Sequence, residues 1–281
     1  MSNVEFVTIE QDDILTHDKN KYNSNNHWLN DIKPINYDKI INQSKTSLWI
    51  NKFHTDYKII EITNNEQLNW MKKAYEISSQ TGKFSQIYSD ELDDFIENHK
   101  NMKYFENNNK YFVRTDDVSL KYGEHGVCPY NNLKKIIESL VSSIRTHTPI
   151  KNNTTKINIY LLPWINIEPW KEFRIFVNNN KITAISQQNI YCVYNKLSNK
   201  IILFKFANII INYFNSVVKN KINHVQSYTY DFAILDDDEP YFIELNSFGK
   251  EYAAGSALFH WLLDEDILYG KHNKIQFRYT I

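Results

Sequence analysis

Tyr228-Thr229-Tyr230-Asp231-Phe232-Ala233-Ile234-Leu235, then Asp236-Asp237-Asp238-Glu239, then Pro240-Tyr241-Phe242-Ile243-Glu244-Leu245-Asn246, is the stretch on which the reading of this chain turns. The outer segments are rich in aromatic and β-branched residues and read as strands; the acidic run between them reads as a solvated turn. If Leu235 pairs with Pro240 across a four-residue loop, Asp231 falls directly opposite Glu244. Side chains alternate along a strand, so Glu244 and Asn246 share a face. Directly opposed residues sit about 4.5–5.5 Å apart at Cβ. Two carboxylates at that spacing, flanked by Phe232, Ile234, Phe242 and Ile243, repel unless a positive charge lies between them. A hard divalent cation with oxygen ligands, such as Mg²⁺ carrying a nucleotide's phosphates, fits that need, with Asp231, Glu244 and Asn246 as its ligands.

Working outward, Glu172-Phe173-Arg174-Ile175-Phe176-Val177, Asn178-Asn179-Asn180 and Lys181-Ile182-Thr183-Ala184-Ile185-Ser186-Gln187 form a second hairpin. Strands are also expected at Thr46 to Ile50, Lys58 to Ile62, Tyr111 to Arg114 and Lys156 to Leu162. Apolar residues at helical spacing predict helices over Asn65–Ser79, Asp90–His99 (with Ser89 or Asp90 as N-cap) and Asn131–Arg145; Phe204–Val218 reads as a buried helix, and Ala253–Leu263, small and apolar before Phe259, Trp261 and Leu262, as a closing one. Residues 1–26 are polar and Asn-rich and read as a loosely ordered arm. Mixed helices and strands with prominent antiparallel hairpins point to an α+β fold. The expected division is an N-terminal arm (1–26), an N-terminal lobe (27–155) and a C-terminal lobe with the metal site (156–281).

At 281 residues and a formal net charge of −1, the chain can bury a full core and carries no global field that would draw it to nucleic acid or an anionic membrane. Direct nucleic-acid binding is therefore not expected, and any phosphate site must be local. The two cysteines, Cys128 and Cys192, make neither a disulfide framework nor a zinc pattern, which suits a reducing compartment such as the cytoplasm. The opening residues lack the basic and apolar regions of a secretory signal. The most apolar run, Ile201 to Phe214, is interrupted by Lys205 and Asn208 and is too short to span a bilayer, so no membrane partner is expected.

Two further groups bear on chemistry. Glu172 and Arg174 point to one strand face; they form either a structural ion pair or a guanidinium held by Glu172 for a phosphate, with Gln187 nearby on the partner strand. The segment from Arg114 to Gly126 is a strand end running into a polar loop, where Gly123 and Gly126 permit close backbone approach and Lys121 can reach phosphates as a point charge. It is neither a Walker loop nor a dinucleotide fingerprint; a mixed-charge surface loop is the alternative. Trp164 and Trp170 flank the connection before Glu172 and serve either core packing or an apolar wall for a base.

The order of these pieces carries more than any one of them. Arg114 to Lys121, Leu161-Leu162-Pro163-Trp164, Glu172-Phe173-Arg174, Ile185-Ser186-Gln187, Asp231 and Glu244-Leu245-Asn246 follow one another as in the cell-division-cycle-123 family, which this chain resembles over roughly residues 110 to 265. The resemblance implies an ATP-grasp fold of two lobes, each an antiparallel sheet with helices, and ATP and Mg²⁺ held between them. It implies that Asp231, Glu244 and Asn246 bind the metal. Arg114, Lys121 and Arg174 would face phosphates, Leu162 and Trp164 would line the adenine pocket, and Gln187 would complete the cofactor site. Glu244 stands where the family usually has aspartate, and Leu120-Lys121-Tyr122 where it usually has Pro-Lys-Asp. Two functions follow from the resemblance. One is an ATP-binding assembly factor whose protein partner is a subunit of translation initiation factor two. The other is an ATP-grasp ligase, joining a carboxylate to an amine or acting in RNA repair, in which Arg174 and Lys121 are the catalytic cations.

Overall fold

The computed structural model describes residues 3–16, 21–144, 148–151 and 153–281. Nine strands lie among them: β1 (Val4–Ile9), β2 (Lys58–Ile62), β3 (Tyr111–Thr115), β4 (Ile157–Pro163), β5 (Glu172–Asn178), β6 (Lys181–Gln187), β7 (Tyr228–Ile234), β8 (Pro240–Ser247) and β9 (Ile275–Thr280). The four longest helices are α1 (Asn65–Thr81), α2 (Ser89–Asn98), α3 (Leu133–Val141) and α4 (Lys200–Tyr213). The class is α+β, as the hairpins imply.

The chain divides into two compact units, Met1–Phe53 with Ile167–Ile281, and His54–Asn166. These bounds differ from the expected break between 155 and 156. The reason lies at the chain's ends: β1 pairs in parallel with β9, Val4 beside Ile275 through Ile9 beside Thr280, which ties the N-terminal residues to the C-terminal ones. The described part of residues 1–26 is accordingly not a loose arm. Phe6 packs against Phe277 at 5.5 Å and edge-on to Phe204 at 4.8 Å.

The unit His54–Asn166 holds an antiparallel sheet of order β2-β4-β3. Ile60, Ile62, Val113, Ile159 and Leu161 form one face of it and share a core with Leu68 and Met71 of α1, Leu92 and Phe95 of α2, and Ile136, Ile137 and Leu140 of α3. Each such side chain, fully buried, contributes roughly 1.5–3 kcal/mol. Asn64 caps α1 by accepting from the Glu66 and Gln67 amides, and Gly82 closes the helix in the left-handed region. Asn132 caps α3 through the Lys135 amide, so that helix opens at Leu133; its expected end, Arg145, lies outside the described residues. The capping residue of α2 is Tyr88, with no side-chain cap, rather than Ser89 or Asp90.

The other unit is built on a six-stranded sheet of order β1-β9-β6-β5-β7-β8, antiparallel except where β9 pairs with β1 and β6. On one face α4 packs on the sheet, with Phe206 edge-on to Phe173 at 5.7 Å and Tyr213 against Phe232 at 5.4 Å. The helical run continues past Val218 through a π turn to Lys221, and at 22 residues it is long and apolar enough by length and composition to cross a membrane, beyond the limit read from Ile201 to Phe214. Thr46–Ile50 is not a strand but a 3-10 turn leading into a short helix, Ile50–Phe53. Burial decides this: Trp49 and Ile50 are inside, and Trp49 packs on Phe242 at 5.4 Å. Ala253–Leu263 is not a helix either. Its carbonyls are taken from outside, Gly255 O by Arg174 and Leu258 O by Arg278, and Ala257 lies in the left-handed region. The apolar residues of this loop still pack, Phe259 and Trp261 joining Phe176, Ala184 and Phe248 on the face opposite α4.

Candidate functional site

One row of directly paired residues runs across five strands of the larger sheet: Arg278 on β9, Ser186 on β6, Arg174 on β5, Asp231 on β7 and Glu244 on β8. Paired residues point the same way, so all five lie on the face that carries Phe176 rather than the face packed by α4. Asp231 opposes Glu244 as the pattern predicts, by a different route. The hairpin turns one residue earlier than expected, with Ile234 beside Pro240, and a β-bulge then inserts Ile243, which restores the Asp231–Glu244 pair.

Arg174 grips Asp231 in a two-pronged ion pair, Nε donating to Oδ1 at 2.8 Å and Nη2 to Oδ2 at 2.7 Å. Its Nη1 donates to Gly255 O at 2.6 Å. Three of the five guanidinium donors are thereby engaged, and the side chain is fixed. The holder of Arg174 is thus Asp231, with the Gly255 carbonyl, rather than Glu172. Both partners are buried, Arg174 8% exposed and Asp231 2%. Burial, with the nearby charge of Glu244, pushes the Asp231 carboxyl above its ordinary range against the pull of Arg174. Burial opposes the Arg174 charge, but Asp231 outweighs it and raises that group's pKa. On the edge strand, Asn246 Nδ2 donates to Glu244 Oε1 at 3.4 Å.

Gln187 lies on the wrong face for this row. It pairs with Phe173, so its side chain points to the α4 side; its Nε2 donates to the carbonyls of Asn189 and Cys192, and its Oε1 accepts from the Thr280 amide. The neighbouring Gln188 comes to the row instead, Nε2 donating to Asp231 Oδ2 at 3.3 Å. Counting alternation from Arg174 through Ser186 points to Gln188. Gly255 was not visible from sequence: a Cβ there would stand 2.3 Å from Asn23 Oδ1. Asn23 is anchored by its amide to Ala257 O and Phe259 O, and Trp28 Nε1 donates to Glu251 O, so residues 23–28 line the loop that supplies the Gly255 carbonyl. Arg278 and Asp264, also unanticipated, brace the same loop through a second two-pronged pair at 2.7 and 2.9 Å.

The unit His54–Asn166 carries the other expected residues. Arg114 is buried on β3 opposite Tyr160, and Leu162 is buried on β4 opposite Phe112, so these two share a sheet face. Trp164 is half-buried, its Nε1 donating to Asn166 Oδ1. Lys121 is exposed, its Nζ 5.7 Å from the centre of the Tyr122 ring. The close approach that Gly123 permits is to protein: a Cβ there would stand 2.1 Å from Ser139 O of α3. Ser139 and Ser142 accept from the His125 and Glu124 amides, which docks this loop on the helix.

The donor set suits Mg²⁺. Among the described residues no group of three or more His, Cys, Asp or Glu is placed to hold a metal, and a cation at this row would have two carboxylates and an amide oxygen. Mg²⁺ is commonly held by one or two carboxylates plus phosphate oxygens while keeping several waters. Asp231, Glu244 and Asn246 would supply that oxygen set, and the charge left after Arg174 is counted is a net negative one.

The family model D123 matches residues 131–280, more than half of the chain. The chain belongs to the D123 family. The matched span includes the Arg174 and Asp231 hairpins and begins after Arg114 and Lys121. As a D123 protein, it is 28% identical over 95 residues to the translation initiation factor eIF2 assembly protein of Dictyostelium discoideum, a stretch covering 34% of this chain and 24% of that protein. The match thus spans about a quarter of the relative's length. The structure of Cdc123 from Schizosaccharomyces pombe superposes with a TM-score of 0.63 at 16% identity, over 86% of this chain and 97% of that one. A C-terminally truncated form of it gives 0.62 at 15% identity. At such identity the likeness shows the D123 fold, and it bears out the cell-division-cycle-123 resemblance read from the two hairpins.

Proposed function

We propose that this D123 protein binds ATP with Mg²⁺ and acts in the cytoplasm as an assembly factor for a subunit of translation initiation factor two. The observation that carries the nucleotide part is the Arg174–Asp231–Glu244 row with Asn246, a fixed guanidinium beside two carboxylates on one sheet face. Asp231, Glu244 and Asn246 hold the cation, which would neutralise phosphate charge. Arg174, locked by Asp231 and Gly255 O, offers its remaining N–H groups to phosphate oxygens. Arg114, Lys121, Leu162 and Trp164, which the family resemblance assigns to the nucleotide, belong to the unit His54–Asn166. The partner part rests on family membership and on the assembly protein of Dictyostelium discoideum to which residues of this chain are similar.

Calorimetric titration of ATP with and without Mg²⁺, repeated on Glu244→Ala, tests the first part. Binding that needs Mg²⁺ and is lost in the variant is the expected result; ATP binding unchanged in Glu244→Ala would sink the metal assignment. Co-purification with the initiation-factor subunits tests the second. ADP formation stimulated by an amine acceptor, without a stable complex, would make the protein a ligase instead.

A further inference from the structure

Two polar atoms beside the charged row are buried with no hydrogen-bond partner, Thr229 Oγ1 and Gln188 Oε1. Thr229 is wholly buried and lies two residues before Asp231 on β7, so it points to the same face. Its direct partner across β8 is Asn246, and across β5 it is Phe176. A hydroxyl between an aromatic ring and an amide, with no bond of its own, is destabilising relative to a satisfied group. Valine would fill the space without that cost. The Gln188 amide is placed at the other side of Asp231, where its Nε2 donates to Oδ2. Its Oε1 cannot lie far from the carboxylate, because the two ends of one carboxamide are separated by about the width of the group. The oxygen set of Asp231, Glu244 and Asn246 is therefore flanked on both sides by an unsatisfied oxygen.

We infer that Thr229 Oγ1 and Gln188 Oε1 form the outer oxygen shell of the divalent-cation site, accepting hydrogen bonds from water carried by the ion. The inference rests on the nucleotide–Mg²⁺ reading above and extends it to two residues outside the expected ligand set. A hydrated Mg²⁺ or Mn²⁺ presents several polarised O–H donors, and two carboxylates with one amide leave part of that shell without protein acceptors. Outer acceptors fix the orientation of bound water and ligands, and losing one typically weakens metal binding by about 10–100-fold. The two oxygens are the right kind and in the right place: both accept, both are buried, and one lies across from Asn246 while the other lies beside Asp231.

The test uses Mn²⁺ with ATP, followed by electron paramagnetic resonance, on the whole chain and on Thr229→Val, Thr229→Ser and Gln188→Leu. Thr229→Val and Gln188→Leu are expected to weaken Mn²⁺ binding about 10-fold each, and Thr229→Ser, which keeps the hydroxyl, to retain it. In ion-free protein, Thr229→Val is expected to raise the melting temperature, because an unsatisfied buried hydroxyl is removed. A purely structural hydroxyl would do the opposite: a lowered melting temperature with unchanged Mn²⁺ affinity overturns the inference. Equal affinity in wild type and both variants also overturns it and leaves the nucleotide reading standing. Failure of the wild type to bind Mn²⁺ with ATP overturns both.

Discussion

Arg174 and Asp231, fifty-seven residues apart in sequence, face one another across β5 and β7 and join through two hydrogen bonds of 2.8 and 2.7 Å. This pair makes the proposed binding site a piece of the core as well. A residue assigned to the metal is at the same time the holder of a residue assigned to phosphate, so substitutions here separate into those that test binding and those that also break the fold.

Asp231→Ala is expected to destabilise the protein by about 3–5 kcal/mol, because it leaves the Arg174 guanidinium buried without its partner. Glu244→Ala, at a half-buried position on the edge strand, should cost far less while removing a proposed cation ligand. Urea denaturation of the two variants checks the contrast, and equal stability would contradict the structural role given to the Arg174–Asp231 pair.

Gly123→Ala should cost about 3 kcal/mol, since its methyl group would overlap the backbone of Ser139 and push the loop off α3. Gly126 has nothing within 4 Å of such a methyl but a φ of +61°, so Gly126→Ala should cost only about 1 kcal/mol, the strain of a left-handed alanine. Chemical denaturation midpoints read both. If the two were reversed, the loop would have to sit elsewhere.

Stability should fall as pH drops below about 6.5, through His27 and His260, whose rings lie 5.0 Å apart. Burial lowers the pKa of both, with Lys250 adding to the effect at His27, and His27 adding to it at His260 against Asp264. A histidine held below its unfolded value of 6.5 binds fewer protons in the folded state, so its stabilisation is complete above 6.5 and is lost as pH falls through that value toward the folded one. The ring has a structural reason to stay neutral: His260 Nδ1 accepts from the Leu262 and Leu263 amides. His260→Asn, whose amide oxygen can take the place of Nδ1, should flatten the dependence between pH 5 and 7 in thermal melts (a window set about the ordinary histidine value).

Lys121→Ala should leave the unfolding midpoint within about 0.5 kcal/mol of wild type, as expected for an exposed side chain. It should nevertheless weaken ATP binding about 10-fold, the loss of one phosphate contact of roughly 1.4 kcal/mol. Titration calorimetry separates the two effects; unchanged affinity would take Lys121 out of the nucleotide site.

The elements that were legible are those whose signal is local. Alternation puts Asn246 beside Glu244 on one face, and the helical spacing of Leu133, Ile136, Ile137 and Leu140 marks α3; the Asp231–Glu244 pair also needed a bulge at Ile243 that no local pattern announces. Where apolar residues clustered without a period, as at Thr46–Ile50 and Ala253–Leu263, the local reading chose the wrong element, because burial and carbonyl partners from distant residues set the backbone there. The choice between Gln187 and Gln188 shows the narrow margin: one residue of alternation moves a side chain from the Arg174 face to the α4 face.

The sequence alone determined the α+β class, the two hairpins and the family resemblance, since each depends on neighbours in the chain; the cross-strand carboxylate pair was expected from a register the structure shifts by one, and a bulge restores it. Only the tertiary structure decided that β1 lies beside β9, that Arg174 belongs to Asp231 rather than to Glu172, and that the loop after β8 is braced by Arg278 and Asp264. Those pairings join residues with no common period or spacing, and they form because strand order across the sheet, rather than position along the chain, determines which charges meet inside a low-dielectric core.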